Sequence, residues 1–216
     1  MSLKSVFKSL VVVIVSLVLI FTFSLSSTPQ KTHAMDRTVK PHQLTQMQIE
    51  EVNKKLDELR IEANKKLANH EDHFTLSKKL SFSDLPISIE VDTSPSTNNS
   101  LNTISSFEIT PYASKSKSYS VTVKNTAGFN FSHKFYGDFV YSSGKVTSWS
   151  HHTEMTGWIY SKSHEYHADR IDSSVVELTD EGHFQALKYA PIEYETLIVV
   201  GLYGSGDYRI LKASLH

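Results

Sequence analysis

Residues 118–135 read Ser118-Tyr119-Ser120-Val121-Thr122-Val123-Lys124-Asn125-Thr126-Ala127-Gly128-Phe129-Asn130-Phe131-Ser132-His133-Lys134-Phe135. Tyr119, Val121 and Val123 alternate with polar residues, Thr126-Ala127-Gly128 interrupts the run, and Phe129, Phe131, His133 and Phe135 resume the alternation. A period of two places successive side chains on opposite faces of an extended chain, so the two runs predict two strands joined by a turn. The β-branched and aromatic residues that fill them suit a pleated, half-buried surface.

The same pattern continues to the C-terminus. Residues 136–141 carry the strand past Gly137, where a bulge or bend is expected. Ser142-Ser143-Gly144-Lys145 reads as a hairpin turn with its return strand over 146–150. Further strands are expected over 157–161, 164–169, 175–179, 183–189, 194–200 and 208–211, with Asp180-Glu181-Gly182 and Gly204-Ser205-Gly206-Asp207 as turns. Short strands at spacings of about ten residues, with no helical interval, predict a mainly β domain over 107–216, an antiparallel β-sandwich or small barrel. This half of the chain holds 18 of its 23 aromatic residues, the large side chains that a small core needs.

Upstream, the signals change to helix. Thr45-Gln46-Met47-Gln48 is a capping box, flanked by Leu44 and Ile49 at the spacing of a hydrophobic staple. Ile49, Val52, Leu56, Leu59 and Ala63 fall on one stripe, and Glu50–Lys54, Glu51–Lys55 and Glu62–Lys66 are acid-first pairs four residues apart. A helix over 46–69 is predicted within a segment spanning 35–70. Heptad spacing fails at Lys66, short of the three to four heptads of a self-standing coiled coil. The helix is therefore expected to pack on its own domain or stand as a solvated stalk, with weak self-association as the competing reading.

Residues 71–106 read as a linker: from Thr93 to Ser106, 12 of 14 residues are Ser, Thr, Asn or Pro, too few apolar groups to offset the entropy of ordering. Within it, residues 85–91 alternate like a short strand, which Pro86 confines to an edge or a strand start.

The first 34 residues have the layout of a secretory signal peptide. Lys4 and Lys8 precede an apolar stretch over 10–23, no charged residue lies between Lys8 and Lys31, and Thr32-His33-Ala34 offers small residues at the positions that a signal peptidase reads. The competing reading is an uncleaved anchor, since residues 9–30 approach the roughly 20 needed to span a bilayer. Both readings place the remainder outside the cytoplasm.

The whole chain balances 22 Lys and Arg against 23 Asp and Glu, without the basic surplus that displaces counterions from nucleic acid. With no cysteine, it has no disulfide framework, thiolate nucleophile or Cys-ligated metal.

The run over 118–128, followed by Lys134-Phe135-Tyr136-Gly137-Asp138-Phe139-Val140-Tyr141 and the Ser143-Gly144-Lys145-Val146 turn, resembles small uncharacterised exported β domains of Gram-positive bacteria. The resemblance covers about the last hundred residues. It implies export and fold and carries no activity, cofactor or catalytic residue.

Chemistry-bearing residues concentrate in the β half. His133, His151, His152, His164, His167 and His183 gather there, and His151, His152, His164, His167 and Asp169 are the candidate ligands for zinc, copper or nickel. Their spacing argues against convergence: His164 and His167 point to opposite faces of a strand, as do the neighbours His151 and His152. No G-x-S-x-G, H-E-x-x-H or cysteine nucleophile is present, and no cofactor is implied. Trp149, Trp158, Tyr160, Tyr166 and Tyr203 fall near strand ends or turns, where an exposed ring can stack on a sugar face.

The functional expectation is an exported, non-enzymatic extracellular or cell-surface binding module for a wall or host glycan or a surface protein, touching membrane only through residues 9–30 if uncleaved. The alternatives are a secreted membrane-active, toxin-like protein and a metal-dependent hydrolase.

Overall fold

A computed structural model of the chain describes residues 43–93, 114–125, 130–186 and 192–216. The signal segment, the Ser/Thr/Asn-rich stretch after Thr93 and the turn expected at Thr126–Gly128 lie outside the described residues. Within the body over residues 39–216, the order is a helix α1 (Gln46–Ala68) and ten strands: β1 (His73–Leu80), β2 (Ser83–Asp92), β3 (Lys115–Asn125), β4 (Phe131–Ser142), β5 (Lys145–Trp149), β6 (His152–Thr156), β7 (Tyr160–Arg170), β8 (Val175–Ala186), β9 (Glu193–Tyr203) and β10 (Tyr208–Leu215). The protein is mainly β, as the alternating pattern predicts. None of its described helices is long and apolar enough to cross a membrane.

All strand pairs are antiparallel. The first sheet runs β1-β2-β3-β4, and β4 is flanked on its far side by β5 along one half and β6 along the other. The second sheet runs β10-β9-β8-β7. The sheets meet through their rings: Phe131 stacks on Phe184 at 4.2 Å between centroids, and Tyr119 lies 6.3 Å from Tyr208. Tyr119, Phe135, Phe139 and Phe184 are sealed in this core.

Three sequence expectations are corrected. Residues 73–92 are not linker: β1 and β2 form a hairpin, and β2 also pairs with β3, so the strand expected at 85–91 lies inside the first sheet. Pro86, which cannot donate to a ladder, falls where the β1–β2 register shifts, just before pairing with β3 starts at Ile87. Second, Asp180-Glu181-Gly182 is not a turn, because β8 runs straight through it with Asp180 facing inward. Third, the strand at Gly137 continues without a bulge there; a side chain on that residue would overlap the Ser150 carbonyl. The turns at Ser143-Gly144 and Gly204-Ser205-Gly206 form as expected.

The helix starts as its capping box dictates. The Gln48 N–H donates to Thr45 Oγ1 at 3.3 Å and the Thr45 N–H to Gln48 Oε1 at 2.8 Å. Val52, Leu56, Leu59, Ala63 and Leu67 on its stripe are buried, and the helix packs on β10, β2 and β1. The stripe is thus filled by the chain's own strands, and α1 is not a stalk.

Two asparagines fix its register. Asn53 Nδ2 donates to the Leu215 carbonyl at 2.8 Å while Asn53 Oδ1 accepts from the Leu215 N–H at 2.7 Å. Asn64 repeats the exchange with Ile210, at 2.8 and 2.9 Å. Eleven residues of helix and five of strand both span about 16 Å, so the two amides meet the outer edge of β10 where a neighbouring strand would bond.

Candidate functional site

The helix covers one side of the sandwich, and on the other side β5 and β6 meet the edge strand β7 in a polar, aromatic seam. Alternation sends Tyr160, His164, Tyr166 and Ala168 of β7 to the inner side and Glu165, His167 and Asp169 to the outer one, as their partners on β8 show. Along β8, Val176, Leu178, Asp180, Gly182 and Phe184 point inward.

Asp180 therefore enters the core as a carboxylate sealed from solvent. Its Oδ2 accepts from His133 Nε2 at 2.7 Å and from the Thr153 hydroxyl at 2.7 Å, and its Oδ1 accepts from His164 Nδ1 at 2.9 Å. Burial pushes its pKa up, but the hydrogen bonds from His133, Thr153 and His164 more than reverse this and hold the carboxyl below its usual range. An unpaired buried charge is strongly unfavourable, and three donors satisfy this one.

His133, equally sealed, links both sheets. Its Nδ1 lies 2.8 Å from Thr196 Oγ1, and that hydroxyl also reaches the Gly182 carbonyl at 3.3 Å. The hydroxyl has one hydrogen for these two acceptors. Directed to Nδ1 it suits a neutral ring, and directed to the carbonyl it leaves an oxygen lone pair for a second ring N–H. Gly182 makes the space: a Cβ there would lie 2.8 Å from Thr196 Oγ1 and 3.0 Å from His133 Nδ1.

Thr196, His133 and Asp180 have the connectivity of a nucleophile–imidazole–carboxylate triad. Thr196 is only 2% exposed, however, and nucleophilic catalysis needs a site within about 3 Å of the hydroxyl for the reacting carbon. The arrangement acts as a structural tie between β4, β8 and β9.

Toward the surface, His164 is exposed over 40% of its side chain. His151, in the break between β5 and β6, stacks flat on Tyr166 at 3.4 Å between centroids. The Tyr166 hydroxyl accepts from Trp149 Nε1 at 3.0 Å, and the Arg170 guanidinium lies 5.0 Å from the Trp149 ring. Burial holds His151 below the ordinary histidine range, with the neighbouring imidazoles of His152 and His164 adding to the effect and Asp180 opposing it.

The candidate ligands do not converge. His164 and His151 face the seam, His152 turns outward against Tyr136 at 5.3 Å, and His167 pairs with Asp169 on the outer face at 3.0 Å. Among the described residues no three His, Asp or Glu side chains are placed to hold a metal ion. A depression of about 310 Å3 lies on that outer face, lined by Glu165, Tyr166, His167, Thr179 and Glu181.

The candidate aromatic platform also disperses. Tyr160 is buried against Phe131 and Phe184, Trp149 and Tyr166 are half-buried in the seam, and Tyr203 is half-buried beside Arg209. Trp158 alone of the five projects freely, 81% exposed in the crossing from β6 to β7.

Sequence reasoning missed Asp180, Thr153 and Thr196. The signal for Asp180 was present: inward positions 176, 178, 180, 182, 184 and 186 keep one unbroken period of two through the residues read as a turn. Comparison with protein-family models, curated proteins and solved structures finds no match to this chain.

Proposed function

We propose that this protein is an exported, non-enzymatic binding module that engages an extracellular glycan through Trp158. The observation that carries the reading is the exposure of that ring. Trp158 offers a large flat apolar face with a polar N–H, and rings of this kind are enriched where proteins meet a partner. Its backbone setting supports the role: Gly157 has φ +146°, and the Gly157 carbonyl accepts from Lys162 Nζ at 3.0 Å, which ties the crossing to β7. A flat ring on a braced turn can stack on a sugar face at little entropic cost.

Export rests on the Lys4/Lys8 and 10–23 pattern and on the Thr32-His33-Ala34 exit. The test has two arms. The intact mass of protein in culture supernatant, wall and membrane fractions should show a chain beginning at Met35, whereas full-length protein in the membrane would make it a tethered ectodomain. Binding to cell-wall and host glycan arrays should be lost in Trp158→Ala. Undiminished binding by that variant would remove Trp158 from the site.

A further inference from the structure

We propose that the seam between the β5–β6 edge and β7 is an acid-operated latch, in which protonation of His151 parts the two edges while both sheets remain folded. The geometry carries this. No strand ladder joins these edges; beyond one backbone bond at the far end, from the Val146 N–H to the Ser173 carbonyl at 3.0 Å, they are held by side chains, namely the His151–Tyr166 stack, the Trp149–Tyr166 hydrogen bond and the bond from Arg170 Nη1 to the Val146 carbonyl at 2.9 Å.

The charges facing this junction are one-sided. β8 supplies the carboxylate that acts on His151, Asp180; β4 supplies His133 and, on the far side of the Tyr119 phenol, Asp138; β7 supplies His164, Arg170 and the Tyr166 phenol; and β3 supplies the Tyr119 phenol, which donates to the Ser150 carbonyl at 2.9 Å. His152, next in the chain, faces away toward Tyr136 and Glu154. Asp180 attracts a proton on His151, but both its oxygens already accept from imidazoles, and its pull is smaller than the cost of burying the charged ring.

A tyrosine face alone would favour a cation. Burial of the ring outweighs that and keeps His151 neutral below the ordinary histidine range. Linkage then fixes the direction: an opening that returns His151 to its ordinary proton affinity must become easier as pH falls below about 6.5. Parted, the seam presents the Trp149, Tyr166 and Phe135 rings to solvent.

The chain has two tryptophans, so Trp158→Phe leaves Trp149 as the only indole and a reporter inside the seam. In that full-length background, lowering the pH from about 7.5 to about 5 should shift the emission to the red and raise acrylamide quenching, with the far-ultraviolet β spectrum unchanged. His151→Phe, which keeps a ring on Tyr166 and removes the proton site, should abolish the shift over that range. His167→Gln, on the outer face, should leave it intact. Emission that stays constant, a shift that persists in His151→Phe, or a loss of the β spectrum alongside the shift would each overturn the latch.

Discussion

His133 Nε2 lies 2.7 Å from Asp180 Oδ2, and neither side chain has any exposed surface. The pair bridges the two sheets at the centre of the sandwich, and with Thr153, His164 and Thr196 it compensates both groups for leaving water. Removing one side of such a pair strands the other. Asp180→Ala is expected to lower unfolding stability by about 3–5 kcal/mol, against less than about 0.5 kcal/mol for the surface change His167→Gln. Urea denaturation of the two variants measures the contrast, and equal midpoints would mean that the pair does not hold the sheets.

The same carboxylate sets an acid limit. Burial raises the proton affinity of Asp180, but the bonds from His133, Thr153 and His164 overcome this and depress it. A group that ionises more easily folded than unfolded adds stability that is fully present above its ordinary value near 3.9 and is lost as pH falls through the lower folded value. Wild-type stability should therefore fall steeply below about pH 4, and Asp180→Asn, weaker throughout, should show a shallower fall. A parallel pH dependence in both proteins would assign the acid limit to other carboxylates.

Gly182 is required by space. A methyl group there would press on Thr196 Oγ1 at 2.8 Å, the Met155 methyl at 2.9 Å and His133 Nδ1 at 3.0 Å, all in a packed interior. Gly182→Ala should cost about 1–3 kcal/mol, although alanine is the less flexible residue in the unfolded chain. Thermal unfolding reads the sign, and a gain in stability would show that the His133 pocket yields.

Asn53 and Asn64 each serve both a backbone N–H and a carbonyl of β10. Replacing either by Ala leaves two edge groups unmatched and should cost about 1–3 kcal/mol. Asn64→Asp keeps the acceptor for the Ile210 N–H and loses the donor, so it should fall between wild type and Ala. Chemical denaturation of the three variants gives the order, and indifference to Asn64→Ala would mean that water replaces the amide.

Much of this architecture was legible because it repeats a local rule. The capping box at Thr45, the stripe from Val52 to Ala63 and the turn at Gly144 each declare themselves within a few residues. β1 did not, although Phe74, Leu76 and Leu80 keep a period of two, because Lys78 stands at the third place of the four; it points back to Glu62 of the helix at 2.5 Å, a partner that the local sequence does not reveal. Asp180 was hidden for the same reason. Acid, acid and glycine in succession resemble a turn, and only His133, forty-seven residues away, makes the acid an interior residue. Of the aromatic candidates, Trp158 and Tyr160 differ by two positions and by nearly the whole range of exposure, a distinction set by the crossing between sheets.

The union of α1 with β10 also orders events in time. Asn53 and Leu215 are separated by 162 residues and Asn64 and Ile210 by 146, so these two amides of the earliest element described here find their partners only after β10 has been made. Contacts this distant in the chain delay folding. The helix can settle on β1 and β2 as soon as they emerge, while its two asparagines stay unmatched until β10 is made.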